Sequence, residues 1–150
     1  MAQTPQPSSQ LDQRFAATIA ALARPIDSRA LPLHALHLVM AMRLGALFEA
    51  AARDPVSELT TRYRSVTKAV AVLRFADEVL RVWPARFGVN RPCCLALTPD
   101  ETTIAALARC ARRGDRAAFG RAVDGLVRAD RHERLYARCV EAVAVLDSQG

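Results

Sequence analysis

The chain has 150 residues, 51% of them hydrophobic, and a formal net charge of +6. That is enough for one domain with its own core, and it excludes a disordered chain or a mini-protein held by disulfides. The charge does not by itself establish a nucleic-acid partner. Lys68 is the only lysine among 21 basic residues, and an arginine excess with abundant alanine and valine is what a GC-rich genome writes by default.

Residues 1–8, rich in Pro, Ser and Gln, read as a flexible tail before a single helical domain over 9–150. No apolar run follows a charged start, so no signal peptide is expected. A first helix is expected from Ser9 to Arg24, with Leu11, Phe15, Ile19 and Leu22 on one face and Pro25 as its stop. After a connector, Pro32 opens a second helix to about Arg53, with Leu33, Leu36, Met40, Leu44, Leu47 and Ala51 as its apolar stripe. His34, His37, Arg43 and Glu49 interrupt this stretch, which is therefore read as a core helix and not a membrane span. The expected location is cytoplasmic, with no membrane partner and with the four cysteines as thiols.

Asp54-Pro55 reads as an N-cap and first-turn proline. It opens the longest expected helix, which runs to Trp83 with Leu59, Tyr63, Val66, Val70, Leu73, Ala76, Leu80 and Trp83 inward. Glu58/Arg62 and Asp77/Arg81 are i,i+4 pairs in the favourable orientation. The residues from Pro84 to Leu97 form the only long irregular stretch, in which Cys94 to Leu97 is at most a short extended piece.

Thr98-Pro99-Asp100-Glu101 is a capping box with proline at its first helical position. Its helix runs to Arg113 and stops at Gly114. A further helix is expected from Asp115 to Ala129. The last is expected from Asp130, with Glu133 completing its start, to Leu146, burying Leu135, Cys139, Ala142 and Leu146. The fold class is all-α: a single compact bundle of five or six helices, with a long antiparallel pair at about 33–53 and 55–83.

Chemistry is confined to few places. Cys110 and Cys139 sit on apolar faces, where free cysteine behaves as a small hydrophobe. Cys93 and Cys94 lie instead in a proline-bounded loop, near Arg91 and a helix N-terminus, both of which favour thiolate. Adjacent cysteines do not readily pair with each other, and Cys-x-x-Cys spacing is absent. His34 and His37, or His132, would complete a metal site if the second helix packed beside this loop. The glycines build no phosphate-binding loop, and the histidines suggest no catalytic triad. Arg62, Arg64, Lys68, Arg74, Arg86 and Arg91, with Trp83 and Phe87 among them, form the candidate basic surface for a nucleic acid.

Tyr63-Arg64, Leu73-Arg74, Glu78, Pro92-Cys93-Cys94 and Leu97-Thr98-x-Asp100-Glu101 together resemble a family of small proteobacterial all-helical proteins. In that family an Arg- and Glu-bearing helix leads into a Pro-Cys-Cys segment and a Thr-x-Asp-Glu helix start. This chain departs from it with Leu95-Ala96, where the family often continues with further Cys and Pro. The resemblance implies a helical architecture and points to the cysteine loop; it implies no reaction. The leading functional expectation is a non-enzymatic interaction or regulatory module with a protein partner or as a homodimer, with no resident cofactor. The alternatives are a thiol-based redox or metal sensor at Cys93 and Cys94, and nucleic-acid binding through residues 62–91.

Overall fold

The computed structural model describes residues 24–148 and the single position Gln13. The expected tail and nearly all of the expected first helix lie outside the described residues. Within them the chain is all-helical. A short 3-10 turn, Ser28–Ala30, precedes α1 (Leu33–Ala50), α2 (Pro55–Tyr63), α3 (Val66–Val82), α4 (Pro99–Arg113), α5 (Arg116–Val123) and α6 (Ala129–Asp147). One isolated antiparallel bridge, Asp27 to Ala96, ties the entering strand of chain to the 84–98 loop.

The expected 55–83 helix is two helices. Tyr63 is the last residue of α2, Arg64 turns left-handed at φ 52°, and the Ser65 side chain caps α3 by accepting from the Lys68 N–H at 3.2 Å. Ser65 offers a better N-cap than a helix interior, and β-branched Thr60 and Thr61 weaken the turn before it. The break resets the helical phase. On α3 the core takes Ala69, Val72, Phe75, Ala76 and Val79, while Val66 and Leu80 stay exposed. Arg81 accordingly pairs with the buried Glu78 at 3.3 Å and not with Asp77.

The inward face of α1 also differs from the expected stripe. Leu33 and Leu47 are exposed, and Ala35, Leu38, Val39, Ala41, Met42 and Leu44 are buried. This helix is apolar nearly all round, so the spacing of leucines does not select a face. By length and composition alone it is long and apolar enough to cross a membrane. In this fold it packs against α2, α3, α4 and α6.

The capping box of α4 forms as read: Thr98 Oγ1 accepts from Glu101 N, and Glu101 accepts from Thr98 N, both at 3.0 Å. Gly114 ends α4 left-handed at φ 66°. Asp115 caps α5, which stops at Val123 and not at Ala129, because Asp124 is extended and Gly125 has φ 72°. The last helix starts at Ala129 without a side-chain cap; Asp130 pairs with Arg128 instead. Its buried face holds Leu135, Cys139, Ala142 and Val143. Helices α3 and α6 pack together most extensively, and α4 bridges α1 to α5 and α6.

Candidate functional site in the 84–98 loop and the groove beside it

The loop is organised by a residue that its own sequence does not contain. Arg43, in the middle of α1, is 1% exposed and meets Glu101, which is fully buried. Arg43 Nε donates to Glu101 Oε1 at 2.6 Å and Nη2 to Oε2 at 2.8 Å, a two-pronged pairing of the kind guanidinium geometry favours. The remaining donors turn to the loop backbone. Nη1 reaches the carbonyls of Cys94 at 2.6 Å and Arg91 at 3.2 Å, and Nη2 reaches that of Ala96 at 2.9 Å. Glu101 in turn accepts from Asn90 N and Thr98 N, each at 3.0 Å.

A charge pair costs several kcal/mol per ion to bury unless its remaining hydrogen-bonding capacity is met. Here the loop backbone meets it. Hydrogen bonding to Glu101 raises the Arg43 pKa, against the opposing effect of burial. The loop is also tied to the start of α4. Asp100 accepts from Gly88 N at 2.7 Å, Thr98 Oγ1 donates to the Gly88 carbonyl at 2.7 Å, and Asn90 Nδ2 donates to that of Ala96 at 2.7 Å.

Cys93 and Cys94 sit on a turn built by these contacts. Cys94 N donates to the Arg91 carbonyl at 2.9 Å, so Arg91 to Cys94 form a four-residue turn with Pro92 and Cys93 at its corners. Both ends of the turn rest on Arg43 Nη1. Cys93 is exposed and Cys94 partly buried. Cys110 and Cys139 are buried, and burial pushes the Cys139 thiol well above the ordinary range.

The histidines do not join the cysteines. His34 precedes Arg43 by nine residues, roughly 13 Å along the helix. It faces the far end of α4, with Nδ1 3.5 Å from Arg112 Nη1, and Arg112 pairs with Asp147. His37 lies against the Tyr63 ring, whose hydroxyl donates to the His37 carbonyl at 3.1 Å. Burial lowers both histidine pKa values, with Arg112 adding to the effect at His34 and Lys68 at His37. Burial pushes Tyr63 up to about 12. His132 is engaged by the Val127 carbonyl at 2.8 Å. Among the described residues, no three of His, Cys, Asp and Glu stand close enough to share a metal ion.

The candidate basic surface is divided. Arg62 pairs with Glu58, Arg74 with Glu141, and Lys68 donates to the Ser148 carbonyl. Arg64 lies just before α3, while Arg86 and Arg91 follow its other end. Seventeen residues of helix, about 25 Å, separate these groups.

Sequence reading did not identify a groove of about 740 Å³ between the second half of α1, α3 and the first half of the loop. Met42, Leu73, Ala76, Phe87 and Val89 give it an apolar lining, and Leu80 stands exposed at its side. Glu49, Arg53, Asp77 and Arg86 supply charge. Phe87 is held edge-on against Trp83, with ring centroids 5.0 Å apart. One face of the loop therefore walls the groove, and its other half carries the cysteine turn. The expected unbroken stripe to Trp83 placed Leu80 inward, where the structure leaves it exposed beside the groove, and so concealed this feature.

Comparison of the chain with family models, with curated proteins and with solved structures found no match.

Proposed function

We propose that this chain is a cytoplasmic, non-enzymatic interaction module, and that its working surface is the groove between α1 and α3. The observation that carries this reading is the groove itself: an apolar trough between two helices, with charges of both signs along it and one wall fixed by a buried ion pair. A trough of this shape takes the apolar face of an amphipathic helix. The residues with the most evident chemistry support the same reading, because Arg43, Thr98, Asp100 and Glu101 are consumed in holding the loop. The resemblance to the small proteobacterial helical proteins belongs with this proposal, since part of its motif, Thr98, Asp100 and Glu101, holds the loop.

The test is a photo-crosslinking residue, p-benzoylphenylalanine, placed at Leu80 in the full chain, with the exposed Arg121 on α5 as control position. The expected result is a polypeptide crosslinked at 80 and not at 121, and lost when Ala46→Arg fills the groove. Equal labelling at both positions would defeat the reading.

A second reading rests on Cys93, exposed at the corner of a turn anchored by Arg43. A thiol displayed in this way suits a redox or soft-metal sensor. It requires Cys93 to react with iodoacetamide faster than cysteine in an unstructured peptide of the same loop sequence. An equal or slower rate removes it.

A further inference from the structure

The two thiols of the 91–94 turn are adjacent and anchored together, yet they are ill-suited to bonding with each other. A trans peptide bond joins them and sets their Cα atoms about 3.8 Å apart. Ordinary disulfides begin at about 4.4 Å, so a Cys93–Cys94 bond requires the backbone to distort. This turn resists distortion. Cys94 N donates to the Arg91 carbonyl at 2.9 Å, and Arg43 Nη1 donates to the Cys94 carbonyl at 2.6 Å. One atom inserted between the sulfurs eases the ring. Two bonds of about 2.3 Å, as in metal thiolates, then replace one of about 2.05 Å.

The donor set decides which atom fits. Thiolates select soft centres. Among the described residues no three of His, Cys, Asp and Glu stand together, and Cys110 and Cys139 are buried. Tetrahedral zinc would find two of its four ligands here. Hard cations need a cage of oxygens, but the carbonyls of Arg91, Cys94 and Ala96 already accept from Arg43. A trivalent arsenic atom carrying one organic group needs two thiolates and nothing more. Cys93 is exposed and open to first attack, with Cys94, partly buried, next to it. Both thiols lie within electrostatic reach of the Arg43 guanidinium, whose pKa their charges help to raise.

We propose that Cys93 and Cys94 form a dithiol site, preset by the Arg43-anchored turn, that chelates one trivalent arsenic centre. This rests on the second reading above, in which the turn displays its thiols for redox or soft-metal chemistry. The step is an exchange. An arsenical with one organic group and two hydroxyls forms two As–S bonds and breaks two As–O bonds. Each thiol proton leaves with a hydroxyl as water, and arsenic stays trivalent.

The experiment adds phenylarsine oxide, which hydrates to the dihydroxy form, to the full reduced chain, followed by intact mass spectrometry and iodoacetamide footprinting. The expected product holds one arsenical per chain with Cys93 and Cys94 both protected. It should survive excess mercaptoethanol and be released by dimercaptopropanol. Cys93→Ser and Cys94→Ser, neither of them a core substitution, should each weaken binding about 100-fold or more by removing the chelate. The chain should also bind more tightly than an unstructured peptide of the loop sequence, since its turn is already formed. Undiminished binding in either variant, an adduct on Cys110 or Cys139, or equal affinity for the peptide overturns the proposal. Iodoacetamide kinetics separate the two failures. If Cys93 outpaces the peptide but no arsenical is retained, the sensor reading stands and the chelate is wrong. If Cys93 does not outpace it and no arsenical is retained, both fall.

Discussion

Replacing Arg43 with methionine is the sharpest test of how the loop is held. Methionine keeps most of the aliphatic stem and removes the guanidinium. Glu101 would keep the N–H groups of Asn90 and Thr98 but lose both bonds from Arg43. Removing one member of a buried pair costs about 3–5 kcal/mol, because the other charge is left without its partner. The loop carbonyls add to this unequally. Ala96 O still accepts from Asn90 Nδ2 and Arg91 O from Cys94 N, whereas Arg43 supplied the hydrogen bond to Cys94 O. One carbonyl stripped of its donor costs about 1–3 kcal/mol when water cannot replace it. The expected loss is therefore about 4–8 kcal/mol, comparable with the whole stability of many domains. Urea unfolding followed by circular dichroism measures it. The double variant Arg43→Met/Glu101→Leu should cost less than the sum of the two single variants, since it leaves no unpaired charge. A loss below about 1 kcal/mol for Arg43→Met, with the thiol reactivity of Cys94 unchanged, would refute the view that this ion pair holds the loop.

Further expectations follow from local geometry. Thr98→Ala removes the cap of α4 and the bond to Gly88 and should destabilise by about 1–2 kcal/mol in the same unfolding assay. Gly114→Ala should destabilise by about 1 kcal/mol and Arg64→Gly should stabilise by up to a similar amount, because both positions are left-handed. Under native conditions a thiol reagent should modify Cys93 first and Cys94 next, and reach Cys110 and Cys139 only on unfolding; modification of Cys139 at the rate of Cys93 would contradict its burial. His34 and His37 have pKa values below the ordinary value of 6.5 in the folded chain. The unfolded chain therefore binds more protons just below that pH, and this stability contribution, complete above pH 6.5, is lost as pH falls toward the folded values. Tm should decline on acidification from pH 7 to about 5, and less steeply in His34→Gln.

How far the sequence could be read depended on whether a feature was local. The caps at Asp54, Thr98 and Asp115 and the stop at Gly114 were legible because each is a short-range contest between side chain and backbone. The buried face of α6 was legible because its polar residues leave one apolar stripe. The face of α1 was not, because apolar residues surround that helix and only its neighbours choose among them. The break at Arg64 was concealed by an apolar spacing that continues through it, although Ser65 followed by Val-Thr-Lys is an adequate cap signal.

The candidate site shows the same division at larger scale. The Pro-Cys-Cys turn and the capping box could each be found in sequence, but not the reason they occur together. Glu101 caps α4 and also answers a charge brought in by α1, 58 residues away in the chain. Arg43 falls one position short of Leu44 in a run that reads as core helix, so nothing local marks it as the loop's support. Once it is placed, the parts become dependent. Displacing Glu101 would release Asn90 and Thr98, and Thr98 holds Gly88 between the two groove residues Phe87 and Val89. The cysteine turn would loosen in the same event, since Arg43 anchors both of its ends. The groove wall and the cysteine turn thus share one support, the Arg43–Glu101 pair. Arg43→Met should therefore raise the reactivity of Cys94 and weaken the crosslink at Leu80 together. Variants confined to the groove, such as Ala46→Arg, should abolish the crosslink and leave the thiols as they were.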